Sequence, residues 1–325
     1  MADRELPDQL SEKLNSAIDR LLARTSANDA PPDPRAQIAA ELLELPRPEF
    51  KSRLRNELER RANMSATVVT PIPKGFHTVT PYLIAREAAK MIDFVKLAFG
   101  AQEIFRTTGS AGGIHAEVKI GDSMVMMGGD LAYRGPGSPA AIHYYVQENP
   151  DDVHARALRA GATSLHEPLD QPYGERSSAV KDPFGNYWYI ARSFGPRYVP
   201  EGLRDINIYF HPAGADKFIE FLKNAFGGEP LNRYASEDGI VRHATVRIGD
   251  SIVEMGEPQG QYPPMPVTTY LYVPNVDEVY RTALAAGATS LSQPTDHPYG
   301  DRSAGVKDAW GHTWYIATHI KDMTT

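Results

Sequence analysis

The sequence contains no cysteine, which removes disulfides, thiolate nucleophiles and cysteine-ligated zinc or iron–sulfur sites together. Any metal would have to be held by histidine and carboxylate. An excess of positive charge is also missing. The 34 Lys and Arg stand against 41 Asp and Glu, for a formal net charge of -7, so the chain has no overall electrostatic footprint for nucleic acid. No run approaches the roughly 18 apolar residues of a membrane span, and the opening MADRELPDQL has no apolar signal core. A soluble, cytoplasmic protein with neither nucleic acid nor membrane as partner is expected. GxSxG, HExxH and a glycine-rich phosphate loop are absent, so hydrolase, zincin and kinase chemistry have no residues to rest on.

What the chain does have, it has twice. Residues 157–193 recur without a gap at 283–319, with 23 of 37 positions identical. HAEVKIGDSMVMMG (115–128) matches HATVRIGDSIVEMG (243–256) at 10 of 14 positions, and Phe99-Gly100 recurs as Phe226-Gly227. The unit is about 120 residues, the size of a domain rather than of a solenoid turn. Two domains are expected, over residues 75–195 and 202–320. They follow a helical N-terminal segment (1–64) and a linker (65–74). In the N-terminal segment Leu10, Leu14, Ile18, Leu21 and Leu22 share one helical face, and Phe50, Leu54 and Leu58 form a further stripe. Such stripes cover apolar surface, so residues 1–63 are expected to dock on the repeats, to join a homodimer or to hold another protein.

Within the first repeat, extended segments are expected at 77–83, 102–107, 114–120 and 123–127, with a helix over 88–99. A second series follows: a strand at 141–146, a helix over 151–160 ended by Gly161, and strands at 163–167, 177–181 and 186–191. The second repeat runs in the same order from 205 to 318. That makes four βαβββ units.

The order of these elements, together with FGA, HAEVKIGDS, AGAT, YGER and DPFGNYW, resembles the vicinal oxygen chelate superfamily, glyoxalase/bleomycin resistance/dioxygenase type, in particular its PhnB-like members. The resemblance covers residues 75–193 and 202–319. It implies an α+β fold of tandem domains whose four βαβββ units form cupped mixed sheets. In metal-using members, paired units hold a divalent metal (Zn, Ni, Fe or Mn) through one residue from the first strand and one from the fourth strand of each unit. Carried onto this chain, those places are His77, Met126, His143 and Tyr189 in the first copy, and Arg204, Glu254, Thr269 and Tyr315 in the second. Units of this kind pair within a copy or across copies. Pairing within a copy would join His77 to His143. Crossed pairing would join Glu254 and Arg204 to His143 and Tyr189, and His77 and Met126 to Thr269 and Tyr315. No arrangement supplies the three or four His or carboxylate ligands of a catalytic metal, so His77, His143 and Glu254 stand as an incomplete metal set and no cofactor is assigned.

The remaining candidates are ligand-binding groups. Tyr173 and Arg176, and Tyr299 and Arg302 in the second copy, flank a glycine-containing bend. They either clamp a planar or anionic ligand or serve the fold, with Arg176 pairing to Asp182 and Arg302 to Asp308. His115 and His243 lie on the polar face of an alternating strand, as pocket groups or as bonds that close the sheet. Trp188 and Trp314 read as core, and Tyr189 and Tyr315 as aromatic lining on the opposite face. His154, His166, His211, His297, His312 and His319 read as surface groups. The leading expectation is a protein that binds a small organic ligand, with a degenerate metal site. The alternative is a metal-dependent glyoxalase-like lyase or isomerase, or an extradiol-type dioxygenase, using His77, His143 and Glu254. A third reading is a scaffold that acts through its N-terminal helices.

Overall fold

The computed structural model describes residues 69–109, 112–129 and 137–322. The helical segment expected over 1–64, and the docking or dimer role given to residues 1–63, lie outside the described residues. The first repeat forms β1 (Val79–Ile84), α1 (Ala88–Phe99), β2 (Gln102–Thr108), β3 (Ile114–Ile120), β4 (Ser123–Gly129), β5 (Ala141–Tyr145), α2 (Pro150–Arg159), β6 (Thr163–Gln171), β7 (Glu175–Lys181) and β8 (Tyr187–Ser193). The second forms β9 (Ile206–Phe210), α3 (Ala215–Phe226), β10 (Glu229–Ala235), β11 (Val241–Ile248), β12 (Ser251–Met255), β13 (Thr268–Tyr272), α4 (Val276–Ala285), β14 (Thr289–Asp296), β15 (Asp301–Lys307) and β16 (Thr313–His319).

Local signals set the helix ends. The α1 helix stops where Gly100 turns left-handed (φ 67°), and α2 starts where the Asn149 side chain accepts the Asp151 N–H ahead of Pro150. Asn275 does the same for α4 through the Glu278 N–H. None of these described helices is long and apolar enough to cross a membrane.

The sheets do not follow the repeats. One eight-stranded sheet runs β14-β15-β16-β13-β1-β4-β3-β2 and the other β10-β11-β12-β9-β5-β8-β7-β6, so each takes four strands from each repeat. Antiparallel seams join the copies, β1 to β13 in the first sheet and β5 to β9 in the second. Of the pairings left open by the sequence, the crossed one is observed.

The apolar core is made differently. Helix α1 packs on α2, and α3 on α4, within each repeat. Phe99 meets Trp188 at 4.6 Å between ring centroids in the first copy, and Phe226 meets Trp314 at 4.6 Å in the second. Both tryptophans are fully buried, as expected. Their indole N–H groups donate to Asp182 (3.0 Å) and Asp308 (2.9 Å). These two aspartates also accept backbone N–H groups of their own turns. They are therefore not the partners of Arg176 and Arg302. Helices pair within repeats, strands pair between them, and one apolar core runs through both.

The crossing is pinned at the β3–β4 and β11–β12 turns. Asp122 and Asp205 exchange backbone N–H bonds (3.0 and 3.1 Å), and the Thr78 N–H donates to Asp250 (2.8 Å). Gly121 (φ 59°) is needed here because a Cβ would lie 1.8 Å from the Asp205 carboxylate.

Candidate functional site

Strand register decides which side chains share each cup. Tyr209 lies beside Glu254, and His143 beside Tyr189, in the second sheet. Tyr82 lies beside Met126, and Tyr270 beside Tyr315, in the first. Two of the assigned positions shift as a result. The first-strand places belong to Tyr82 and Tyr209, not to His77 and Arg204. The counterpart of His143 is Tyr270, not Thr269, because the connection from β13 to its following helix is one residue shorter than that from β5. His77 and Arg204 sit at the copy junction, where both engage Asp250 (2.7 and 3.4 Å). A cavity of about 20 Å³ beside them has room for about one water and none for an organic ligand.

The second-sheet cup is polar at its floor. Glu254, 1 % exposed, lies with Oε1 3.0 Å from His143 Nδ1 and Oε2 3.2 Å from His243 Nε2. Burial alone would raise the Glu254 carboxyl, but the charge and hydrogen bond of His143, with the hydrogen bond of His243, hold it down to about 2. Burial also works against a charge on His143, yet Glu254, and to a lesser degree Glu175, raise it above the usual histidine value. On the other side of the cup Tyr189 Oη and His211 Nε2 lie 2.7 Å apart, and burial pushes His211 down to about 4. One cup thus holds a histidine favoured as a cation and another held neutral. Tyr262 stacks over His211 at 6.0 Å, and the Tyr145 hydroxyl donates to Glu175 (2.7 Å).

The first-sheet cup has the same frame and different contents. Met126 replaces Glu254 and Tyr270 replaces His143, and Phe76, Tyr82, Tyr272 and Tyr315 pack around them. The Tyr270 and Tyr272 hydroxyls both donate to Asp301 (3.1 and 3.3 Å), the counterpart of Glu175. In both cups a glycine seats the first-strand tyrosine. A Cβ at Gly128 or Gly256 would lie 2.7 Å from the hydroxyl of Tyr82 or Tyr209.

His243 joins the Glu254 cluster, and His115 lies 3.1 Å from the Tyr82 hydroxyl. Tyr173 and Tyr299 stand on the rims, 70 % and 51 % exposed. Arg176 commits its fork to Asp151 and Asp170, and Arg302 to Asp277 and Asp296, which clips β7 to α2 and β15 to α4. Three histidines read as surface are buried: His154, His211 and His312 are 2 %, 6 % and 1 % exposed. His211 was within reach of the sequence, since Asn207, Tyr209 and His211 alternate along one strand face. Glu175 and Asp301 also carried a signal, a carboxylate kept through a Glu-to-Asp exchange. Tyr262 carried none, because its loop has no described counterpart in the other repeat.

A family-type metal does not fit these residues. The four ligand positions hold Tyr209, Glu254, His143 and Tyr189, and the carboxylate and imidazole are in direct contact with each other. Burial pushes the Tyr189 and Tyr209 hydroxyls well above the usual phenol range, away from the phenolate a metal would need. Among the described residues no group of three or more His, Cys, Asp or Glu is placed to hold a metal ion.

Paired βαβββ units with cupped mixed sheets define a class of proteins. The matching family is described as "Glyoxalase/Bleomycin resistance protein/Dioxygenase superfamily"; residues 75–190 and 213–316 match it, and the chain belongs to that superfamily. Members often use a divalent metal. The uncharacterised protein Mb0911c of Mycobacterium bovis is 35% identical over 125 residues, covering 35% of this chain and 82% of its own length. The uncharacterised protein Rv0887c of Mycobacterium tuberculosis is likewise 35% identical over 125 residues, covering 73% of its own length. The solved structure of glyoxalase I from Zea mays is similar in fold, with a TM-score of 0.57 at 14% identity over 74% of this chain and 92% of that chain.

Proposed function

We propose that the chain is a small-molecule-binding protein that holds flat organic ligands in its tyrosine-lined cups without a metal ion. The observation that carries this reading is the commitment of Glu254 to His143 at 3.0 Å and to His243 at 3.2 Å. These are the residues best suited to a metal, and they are used on one another. The lining of tyrosine rings around a few convergent polar groups suits an organic ligand. The test is the metal content of protein purified without chelator and dialysed, measured beside binding of flat aromatic probes followed by NMR. Trace metal with retained probe binding is the expected result. Stoichiometric Ni, Zn, Fe or Mn that survives dialysis and is lost in His143→Ala replaces this reading with a metal-dependent lyase or dioxygenase.

A further inference from the structure

We infer that the second-sheet cup recognises a cyclic cis-amide edge, such as that of a lactam, a cyclic imide or a pyrimidinone. The ligand N–H is given to Glu175, and its carbonyl oxygen accepts a hydrogen bond from His143. This inference rests on the reading of the cups as ligand sites.

The argument concerns hydrogen-bonding valences left over. His143 Nδ1 is committed to Glu254, while Nε2 lies 3.9 Å from Glu175 Oε2, beyond hydrogen-bond reach. The other oxygen of Glu175 already accepts the Tyr145 hydroxyl at 2.7 Å. Nε2 and Oε2 therefore stand side by side without satisfying each other. Their side chains are 12 % and 11 % exposed, reachable from the cup yet largely out of water. Polar groups so placed are costly unless a partner reaches them.

Glu254 stands at Nδ1 and Glu175 on the Nε2 side of the His143 ring, an arrangement that favours an N–H on each nitrogen, whereas a carboxylate only accepts. A donor beside an acceptor is the complement of O=C–N–H held cis, the geometry that a ring imposes on an amide. A free carboxylate would set its second oxygen against Glu175, and an amidine would set a donor against the His143 N–H. The walls suit a flat ring: Tyr145 stacks on His143 at 4.3 Å, Tyr189 stands edge-on at 6.4 Å, and the exposed Tyr173 stands at the rim. The first-sheet cup offers no such edge. There Asp301 takes Tyr270, Tyr272 and His319 (2.8 Å), and Tyr270 stands in the place of His143.

The experiment titrates the full chain with 2-quinolone, with 1-methyl-2-quinolone, whose N–H is blocked, and with quinoline, using calorimetry and NMR. Tight binding of 2-quinolone, weakened at least about tenfold by N-methylation, is expected, the lower range for a lost hydrogen bond to a charged group. His143→Phe and Glu175→Leu should each bring 2-quinolone down to the level of the methylated probe, with thermal unfolding run alongside. If either variant does not fold, the two quinolones alone decide. Equal binding of 2-quinolone and its N-methyl form overturns the cis-amide inference and leaves the flat-ligand reading standing. Failure of all three probes to bind up to their solubility overturns both.

Discussion

The two cups are the same frame with different contents. Both place a tyrosine against a glycine backbone, a second tyrosine on the last strand and a carboxylate on the strand beside it, because both sheets are built by the same crossed pairing. One then puts Met126 and Tyr270 at its floor and the other Glu254 and His143. The first is closed by aromatic contacts and by hydroxyls that saturate Asp301. The second is closed by a buried ion pair, with Nε2 of His143 and Oε2 of Glu175 3.9 Å apart and not hydrogen-bonded to each other. The difference teaches that the duplicated scaffold sets where the cup lies, and that a few side-chain exchanges set which polar and aromatic groups it presents.

The comparison breaks most sharply at Glu254. Glu254→Ala should destabilise the chain by about 3–5 kcal/mol in urea unfolding, the usual cost of leaving one partner of a buried pair behind. A loss below about 1 kcal/mol would mean that the second cup is no more electrostatic than the first. The same contact predicts a dependence on pH. Glu254 is held down to about 2 from an ordinary 4.5, so its contribution is present above about 4.5 and is lost as pH falls through the folded value. For His143 the sign reverses: its raised value adds stability below the ordinary 6.5, and that contribution is lost as pH rises through the folded value. Unfolding free energies from urea titrations should fall between pH 5 and pH 2 by up to about 3 kcal/mol more in the parent than in Glu254→Gln. Parallel curves would count against the pair.

The scaffold should behave symmetrically where the cups do not. Asp182→Ala and Asp308→Ala each strip a buried indole and two turn amides of their acceptor, and each should cost about 2–3 kcal/mol. Unequal losses would show that the two repeat cores are not equivalent. Burial pushes Asp308 up to about 6 from an ordinary 3.8, so its protonated form adds stability that is present below about 3.8 and is lost as pH rises through about 6. The smallest effect is expected at the tyrosine seats, where a Cβ from Gly128→Ala meets the Tyr82 hydroxyl and one from Gly256→Ala meets the Tyr209 hydroxyl and the Arg242 carbonyl, at about 1–3 kcal/mol. Thermal unfolding of the pair checks it, and an unchanged midpoint for both would remove the close approach as the reason for these glycines.

Much of the frame was legible in the chain. The helix of residues 88–99 was readable from Met91, Ile92, Val95 and Phe99 on one face and Gly100 after it, and its observed bounds agree. The core role of Trp188 and Trp314 followed from strand alternation against Tyr189 and Tyr315. The site was legible only in pieces. His143 and Glu254 could be named, but His77 was placed with them when it belongs to the copy junction, and Thr269 stood where Tyr270 is found. Alternation fixes which face a residue takes, and a one-residue difference between loops moves the adjoining strand's whole set. His211 reads as a surface group because it lies one residue past the end of β9, yet its side chain continues the buried alternation of that strand.

The sequence by itself determined the βαβββ units, their duplication and the list of exchanges between copies, because those are written in local periodicity, caps and turns. Which exchanged residues meet was decided only by the tertiary structure. His143 and Glu254 are 111 positions apart and come from different repeats. Their contact exists because β5 pairs with β9 across the copies, and strand pairing between distant segments is a property of the folded sheet rather than of any stretch of chain.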